Sequence, residues 1–228
     1  MIFITGDTHG NEDFGKLAEF ASEHSELNRS DYVIIAGDFG AVWNSETLVK
    51  DLKPYSDLPF TVLFVDGNHE NFPLLNTFPE QMWNGGKIHK IRENIFHLMR
   101  GQVYEIEGKR FFTFGGATSI DKIYRRENIS WWSEEVPTDR DIQEANKNLE
   151  KVGYKVDYIV THSCDERALY YPPLNKRTFQ TSVYPENLIL SYFEEKVEYL
   201  HWYFGHYHLD GDLTDKKTVV YQNVIRMI

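Results

Sequence analysis

Two pairs of side chains able to grip a divalent cation stand at matching spacing near the two ends of the chain: Asp7 with His9, and His206 with His208. Between them Asp38, Asn68 and His162 each follow a short apolar run. Two Asp, one Asn and four His make a donor set of oxygen and imidazole nitrogen with no thiolate, which suits Mn, Fe or Zn. At the mouth of a strand turning into a loop, residues two apart can both reach one ion. If Asp38 bridges two ions through its two oxygens, each ion acquires protein ligands and keeps open positions, the mark of a catalytic rather than a structural site. The chemistry of such a pair is hydrolytic: it lowers the pKa of water from ~15.7 towards ~7 and clamps phosphoryl oxygens.

Taken singly, each piece has a plainer explanation. An isolated Asp-x-His is more often a surface turn or cap, a Gly-Asp after a strand more often just a turn, and a single His162 more often a satisfied structural histidine. Joint occurrence argues against coincidence, because five clusters each follow a strand-like run directly and together complete one donor set.

The elements that must position these residues are legible from the apolar runs. Residues 1–5, 32–36, 60–65, 158–161 and 202–204 are strand-sized and rich in β-branched or aromatic side chains, and each ends in Gly, Asp, Asn or His. In open α/β sheets the C-terminal strand edge is where ligands bind. Helices are predicted at residues 12–26, on the spacing of Phe14, Leu17, Ala18 and Ala21, and at 138–151, opening on Thr138-Asp139. Alternating strands and helices predict a largely parallel first half. Residues 103–106 and 110–114 around Gly108 read as a hairpin, and 218–221 and 224–228 as closing strands. Residues 53–59 read as an ordinary Pro-containing connection. With no repeat, linker or low-complexity stretch, the 228 residues read as one domain.

Composition sets the outer limits. The chain is 41% hydrophobic and 26% charged, ordinary globular values, and no apolar run is long enough to span a membrane. The first apolar stretch meets Asp7 too soon for a secretory signal, and a single Cys164 allows no internal disulfide, so a cytoplasmic location is expected. A formal charge of −11 disfavours long duplex nucleic acid as a partner but not a small phosphorylated or nucleotide substrate.

In order along the chain, Gly6-Asp7-Thr8-His9-Gly10, Gly37-Asp38, Gly67-Asn68-His69-Glu70, His162 and Gly205-His206-Tyr207-His208 resemble the signature of the calcineurin-like metallophosphoesterases, over residues 5–208. The resemblance implies a four-layer α/β/β/α sandwich, two mixed sheets flanked by helices, with the site at the strand ends. It implies that Asp7, His9, Asp38 and His208 hold a first metal and that Asp38, Asn68, His162 and His206 hold a second. His69 is then not a ligand; beside Asn68 it could protonate the leaving alkoxide or stabilise the transition state.

The Ser/Thr protein phosphatase branch continues Gly-Asp with a further Asp and an Arg, whereas this chain continues Phe39-Gly40-Ala41-Val42-Trp43, which argues against that branch. The stretch from Gly115-Gly116 through Trp131-Trp132 instead resembles a small bacterial or phage subset. Arg125 and Arg126 could neutralise a second phosphate, and Trp131, Trp132 or Trp43 could stack on a base. The alternative is ion pairing with Glu127, Glu134 and Glu135 and packing over the sheet. The segment 119–135 is accordingly expected to govern substrate choice rather than metal chemistry. The resulting expectation is a dinuclear metal-dependent phosphodiesterase or phosphatase for a small substrate, using metal-activated water. A nuclease for short oligonucleotides is the nearest alternative, and a non-catalytic metal-binding scaffold is disfavoured because no ligand position is broken.

Overall fold

Side chains alternate across a strand, so a strand apolar on both faces must be covered twice. The buried sequences of β1 (Ile2–Thr5), β2 (Tyr32–Ile35) and β3 (Thr61–Phe64) demand this, and the structure, a computed structural model describing residues 1–176 and 182–227, supplies it. Phe3, Val33, Ile35, Val62 and Phe64 face outward onto Leu17 and Phe20 of α1 (Gly15–Glu23) and Leu52 and Tyr55 of α2 (Leu48–Asp57). Ile2, Ile4, Ile34 and Leu63 face inward onto Phe111, Val160 and Tyr203 of a second sheet.

The first sheet is completed by β4 (Glu80–Trp83), β5 (Gly86–Arg92), β6 (Ile95–Leu98) and β13 (Ile225–Arg226), in the order β13-β1-β2-β3-β6-β5-β4. The four central strands β1, β2, β3 and β6 are parallel and the rest antiparallel. The short α3 (Phe72–Leu75) precedes β4. The second sheet comprises β7 (Gln102–Ile106), β8 (Lys109–Phe114), β9 (Tyr158–Thr161), β10 (His201–Phe204), β11 (Gly211–Thr214) and β12 (Lys217–Val219), in the order β11-β12-β10-β9-β8-β7 with antiparallel edges. Its outer face, with Phe112, Phe114, Ile159, Trp202 and Phe204, packs on Ala145 and Leu149 of α4 (Asp139–Lys151) and on Leu190 and Phe193 of α5 (Pro185–Lys196). The result is the expected pair of mixed sheets flanked by helices. Truncating a fully buried ring between the sheets, as in Phe111→Ala, would cost about 3–5 kcal/mol.

Local structure departs from expectation at two helices. The first begins at Gly15 rather than residue 12, because Asp13 is drawn into the preceding loop: its N–H donates to the Thr8 carbonyl (3.0 Å) and its carboxylate meets His9. Residues 53–57, expected as connection, belong to α2 despite Pro54 inside it. The lost backbone hydrogen bond is offset by complete burial of Leu52 and Tyr55, and the Tyr55 hydroxyl donates to the Gly10 carbonyl. The predicted helix at 138–151 is found as α4, where the N–H and hydroxyl of Thr138 both donate to Asp141 Oδ2, at 2.8 and 2.7 Å. The last closing strand is shorter than expected, and residue 228 lies outside the described residues. Among the described residues, no helix is long and apolar enough to cross a membrane.

Candidate metal centre

Parallel central strands bring their C-terminal ends to one edge of each sheet, and there β1, β2 and β3 deliver Asp7, His9, Asp38, Asn68 and His69 opposite His162 from β9 and His206 and His208 from β10. Each loop turns back sharply. Of the eight non-glycine residues with positive φ among those described, four are candidate ligands: His9 (42°), Asp38 (49°), His206 (68°) and His208 (48°). Such strain concentrates where surrounding structure over-determines a functional geometry. Two glycines make the close approach possible: a Cβ at Gly37, whose φ is +93°, would collide with the His162 ring, and one at Gly67 would collide with the Asp38 carboxylate.

Both carboxylates are buried. Asp38 Oδ1 accepts from the His69 N–H (2.7 Å) and lies 3.2 Å from His162 Nε2, and its Oδ2 lies 3.4 Å from His9 Nε2. Asp7 Oδ1 accepts from the His206 N–H at 3.0 Å, but Asp7 Oδ2 is buried without a well-directed hydrogen bond, although His208 Nε2 lies 3.0 Å away. Among the described residues, no Lys or Arg pairs with either carboxylate. Lys16 comes close, yet its Nζ donates to backbone carbonyls instead: Gly6 (2.9 Å), Asp7 (2.7 Å) and Tyr221 (2.5 Å).

Electrostatics follow from that lack of fixed cations. Burial opposes ionisation of Asp38, but His162 beside it outweighs that and holds its pKa well below the usual range. Burial likewise opposes charge on His9 and His162, and Asp38 overcomes it, raising them to about 9 and about 10. His206 goes the other way, pushed down to about 3 by burial and by His162. In the protein alone, protons on imidazole therefore balance the carboxylates, and a bound cation must displace them.

The residues fit divalent cations on two grounds. A buried carboxylate oxygen lacks a hydrogen bond, and the donors converge: Asp7, His9 and His208 form one group whose ligand atoms lie within 4.8 Å of one another, and Asp7, Asp38 and His162 form another. Asn68 joins the second, with Oδ1 3.2 Å from His162 Nε2, while His162 Nδ1 donates to the Ala36 carbonyl at 2.8 Å and so turns Nε2 inward. His206 lies outside these groups, its ring centroid 4.9 Å from that of His162. His69, expected to be no ligand, forms a third close group with His9 and Asp38.

The other expected site residues separate. Arg125 reaches the centre, its Nη2 lying 2.9 and 2.7 Å from the two ring nitrogens of His69, while its Nε donates to Asp121. Arg126 is exposed, its backbone closing a turn with Ser130. Trp131 lies beneath Lys122 Nζ, 4.5 Å from the ring centroid, and Trp132 is buried edge-on against Trp43 at 5.3 Å. Sequence reading missed Glu70, a fully buried carboxyl that accepts from the N–H groups of Phe39 and Gly40 and fixes the Asp38 loop. Its position within Gly67-Asn68-His69-Glu70 was the available signal.

Two cavities flank the centre. One of about 870 Å³ borders His9, His69 and His208 and is lined further by Glu12, Asp13, Trp43, Asp51 and Tyr221. The other, of about 390 Å³, borders Asp38, Asn68, His69 and His206 and is lined by Ile120, Asp121, Tyr184 and Glu186. Among the described residues, no Lys or Arg lines either one.

Candidate metal ligands gathered at the strand ends of a double-sheet sandwich suit a metallohydrolase, and comparison supplies the family: the chain belongs to the calcineurin-like phosphoesterases, whose family model matches residues 1–210. It is thus a metal-dependent phosphoesterase, a hydrolase. Among solved structures it is similar to the phosphopantetheinyl hydrolase (PptH) from Mycobacterium tuberculosis, at 17% identity and a TM-score of 0.43, covering 96% of this chain and 87% of that one. Comparison with curated proteins gives no match.

Proposed function

We propose that the protein is a dinuclear hydrolase of small phosphomonoesters or phosphodiesters. Asp7, His9, Asp38 and His208 would hold one ion and Asp38, Asn68, His162 and His206 the other, with Mn, Fe and Zn as the candidates. The observation that carries this reading is the pair of buried carboxylates, Asp7 and Asp38, ringed by imidazoles and paired with no Lys or Arg among the described residues. When bound, the cations supply Lewis acidity, generating a nucleophile from water at neutral pH and drawing charge from the phosphoryl oxygens.

The chain's own residues do the rest. Burial and the Arg125 guanidinium beside it lower the pKa of His69, which favours the neutral ring with one N–H available to donate. Of its two expected roles, this favours hydrogen-bond donation to the developing charge over full proton transfer. Arg125 is committed to His69 and Asp121 rather than to a second phosphate, and carboxylates line both cavities. A substrate with one phosphoryl group and limbs carrying no further phosphate therefore fits best, the larger limb lying beside Trp43 and Tyr221. The same lining disfavours the oligonucleotide alternative, since among the described residues no Lys or Arg lines either cavity to follow a phosphate backbone. The closing of β13 onto β1 supports one domain over residues 1–228, and the lone, buried Cys164 is consistent with the cytoplasmic location expected.

The test is activity profiling of metal-loaded protein against phosphomonoesters, phosphodiesters, cyclic nucleotides, dinucleoside polyphosphates and short oligonucleotides. Turnover highest on single-phosphoryl substrates is expected; preference for dinucleoside polyphosphates or oligonucleotides would overturn the substrate reading.

A further inference from the structure

An asparagine can ligate a cation only through Oδ1, so a metal-binding Asn needs its amide held the right way round. Nothing on β3 itself does this for Asn68. Its Nδ2 instead donates across the cleft to Ser119 Oγ, at 3.2 Å, from the loop that follows β8. Ser119 is buried and is itself gripped twice by the fully buried Glu135: its N–H donates to Oε1 and its hydroxyl to Oε2, both at 2.8 Å.

The polarity of this chain is forced. A carboxylate only accepts, so the Ser119 hydroxyl hydrogen points to Glu135; the hydroxyl lone pairs then face Asn68, which must present Nδ2 to them and Oδ1 to the centre. Two neighbours stiffen the arrangement. Lys122 Nζ lies 2.7 Å from Glu135 Oε1, and the buried Glu186, in the first turn of α5, holds the N–H and hydroxyl of Thr118 at 2.9 and 2.7 Å. Successive residues of one loop are thus each clamped by a buried glutamate.

We infer that Ser119 and Glu135 are positioning residues that set the amide orientation of Asn68 and thereby the affinity of one of the two cation sites. The inference rests on the proposed reading in which Asn68 is a ligand. It also changes the meaning of the segment 119–135, whose two ends serve the metal centre while Arg125, between them, faces His69.

The test is calorimetric titration of Mn²⁺ into chelator-stripped full-length protein, with metal-free melting temperature recorded for every variant. Wild type is expected to bind two ions. Ser119→Ala should weaken one binding step by roughly 10–100-fold, the usual effect of losing a ligand's orienting partner, and leave the other step nearly unchanged, with a modest fall in melting temperature because buried Glu135 loses a donor. Ser119→Thr, which keeps the hydroxyl, should restore binding. Glu135→Gln, which can reverse the chain by donating to Ser119, should mimic Ser119→Ala; if it fails to fold because Lys122 is stranded, Ser119→Ala alone decides. Wild-type affinity for both ions in Ser119→Ala, or equal weakening of both steps with a fall in melting temperature, would overturn the inference while leaving the two-metal reading intact. Fewer than two ions on the wild type would overturn the ligand assignment and, with it, this inference.

Discussion

Two buried clusters of aspartate and histidine lie on either side of β3, and only one of them needs something from outside the chain. Asp66, at the end of that strand, receives two hydrogen bonds from Arg100, Nε at 2.8 Å and Nη2 at 2.5 Å, and its other oxygen faces His97 Nε2 at 3.2 Å, behind which His89 follows. Arg100 further donates to the carbonyls of Glu134 and Glu135. Asp7 and Asp38 have the same kind of burial and the same histidine company but no guanidinium or ammonium partner among the described residues. Composition does not mark a metal centre, since Asp and His are common to both clusters. What marks it is negative charge for which the described residues supply no fixed cation.

The contrast can be broken most directly at its two aspartates. Asp7→Asn should reduce hydrolysis by roughly 1000-fold or more, because several kcal/mol of transition-state stabilisation depend on the cations. Its metal-free melting temperature should stay level or rise, since an oxygen without a good partner is removed. Asp66→Asn should do the opposite, destabilising the fold by about 3 kcal/mol because the buried carboxylate pairing with Arg100 and His97 is lost and the half-buried Arg100 keeps only weaker partners, while each folded molecule keeps its metals. Chemical denaturation of both variants in chelator checks this, and equal destabilisation would erase the distinction between the clusters.

A smaller effect sharpens the boundary of the metal cluster. His69→Ala is expected to lower kcat about 100-fold with metal content unchanged. Metal loss in step with activity would place His69 among the ligands, where its nearness to His9 and Asp38 makes it a contender. The smallest effect lies in the self-sufficient cluster. Burial and His97 push the pKa of His89 down to about 4, so the folded state binds fewer protons there than the unfolded state. Its contribution to stability is therefore full above about pH 6.5 and is lost as pH falls towards about 4. Melting curves across that window should show a shallower acid slope in His89→Gln than in wild type; parallel slopes would refute it.

How much of this was legible in the sequence differs by element. The strands at residues 32–35, 61–64, 158–161 and 201–204 were readable because burial on both faces gives continuous apolar runs, and the ligand candidates were readable because they end those runs. The edge strand β4, Glu80–Trp83, was not, since an exposed edge needs no apolar pattern. The pairs Ser119–Glu135 and Thr118–Glu186 were also invisible: they meet only through loop geometry across 16 and 68 residues of chain, and a lone Ser, Thr or Glu carries no local signal. Trp132 illustrates the reverse, an aromatic whose position beside Arg125 and Arg126 suggested substrate contact but whose side chain is buried on Trp43.

The most direct test of the central claim, that uncompensated carboxylates at the strand ends hold two catalytic cations, is a parallel measurement of bound Mn²⁺ per chain and of aryl phosphodiester hydrolysis during reconstitution of chelator-stripped protein. The account predicts hydrolysis absent from the stripped protein, rising as occupancy approaches two ions per chain, and absent throughout in Asp7→Asn. Full hydrolysis without bound metal, or undiminished two-ion binding in Asp7→Asn, would contradict it.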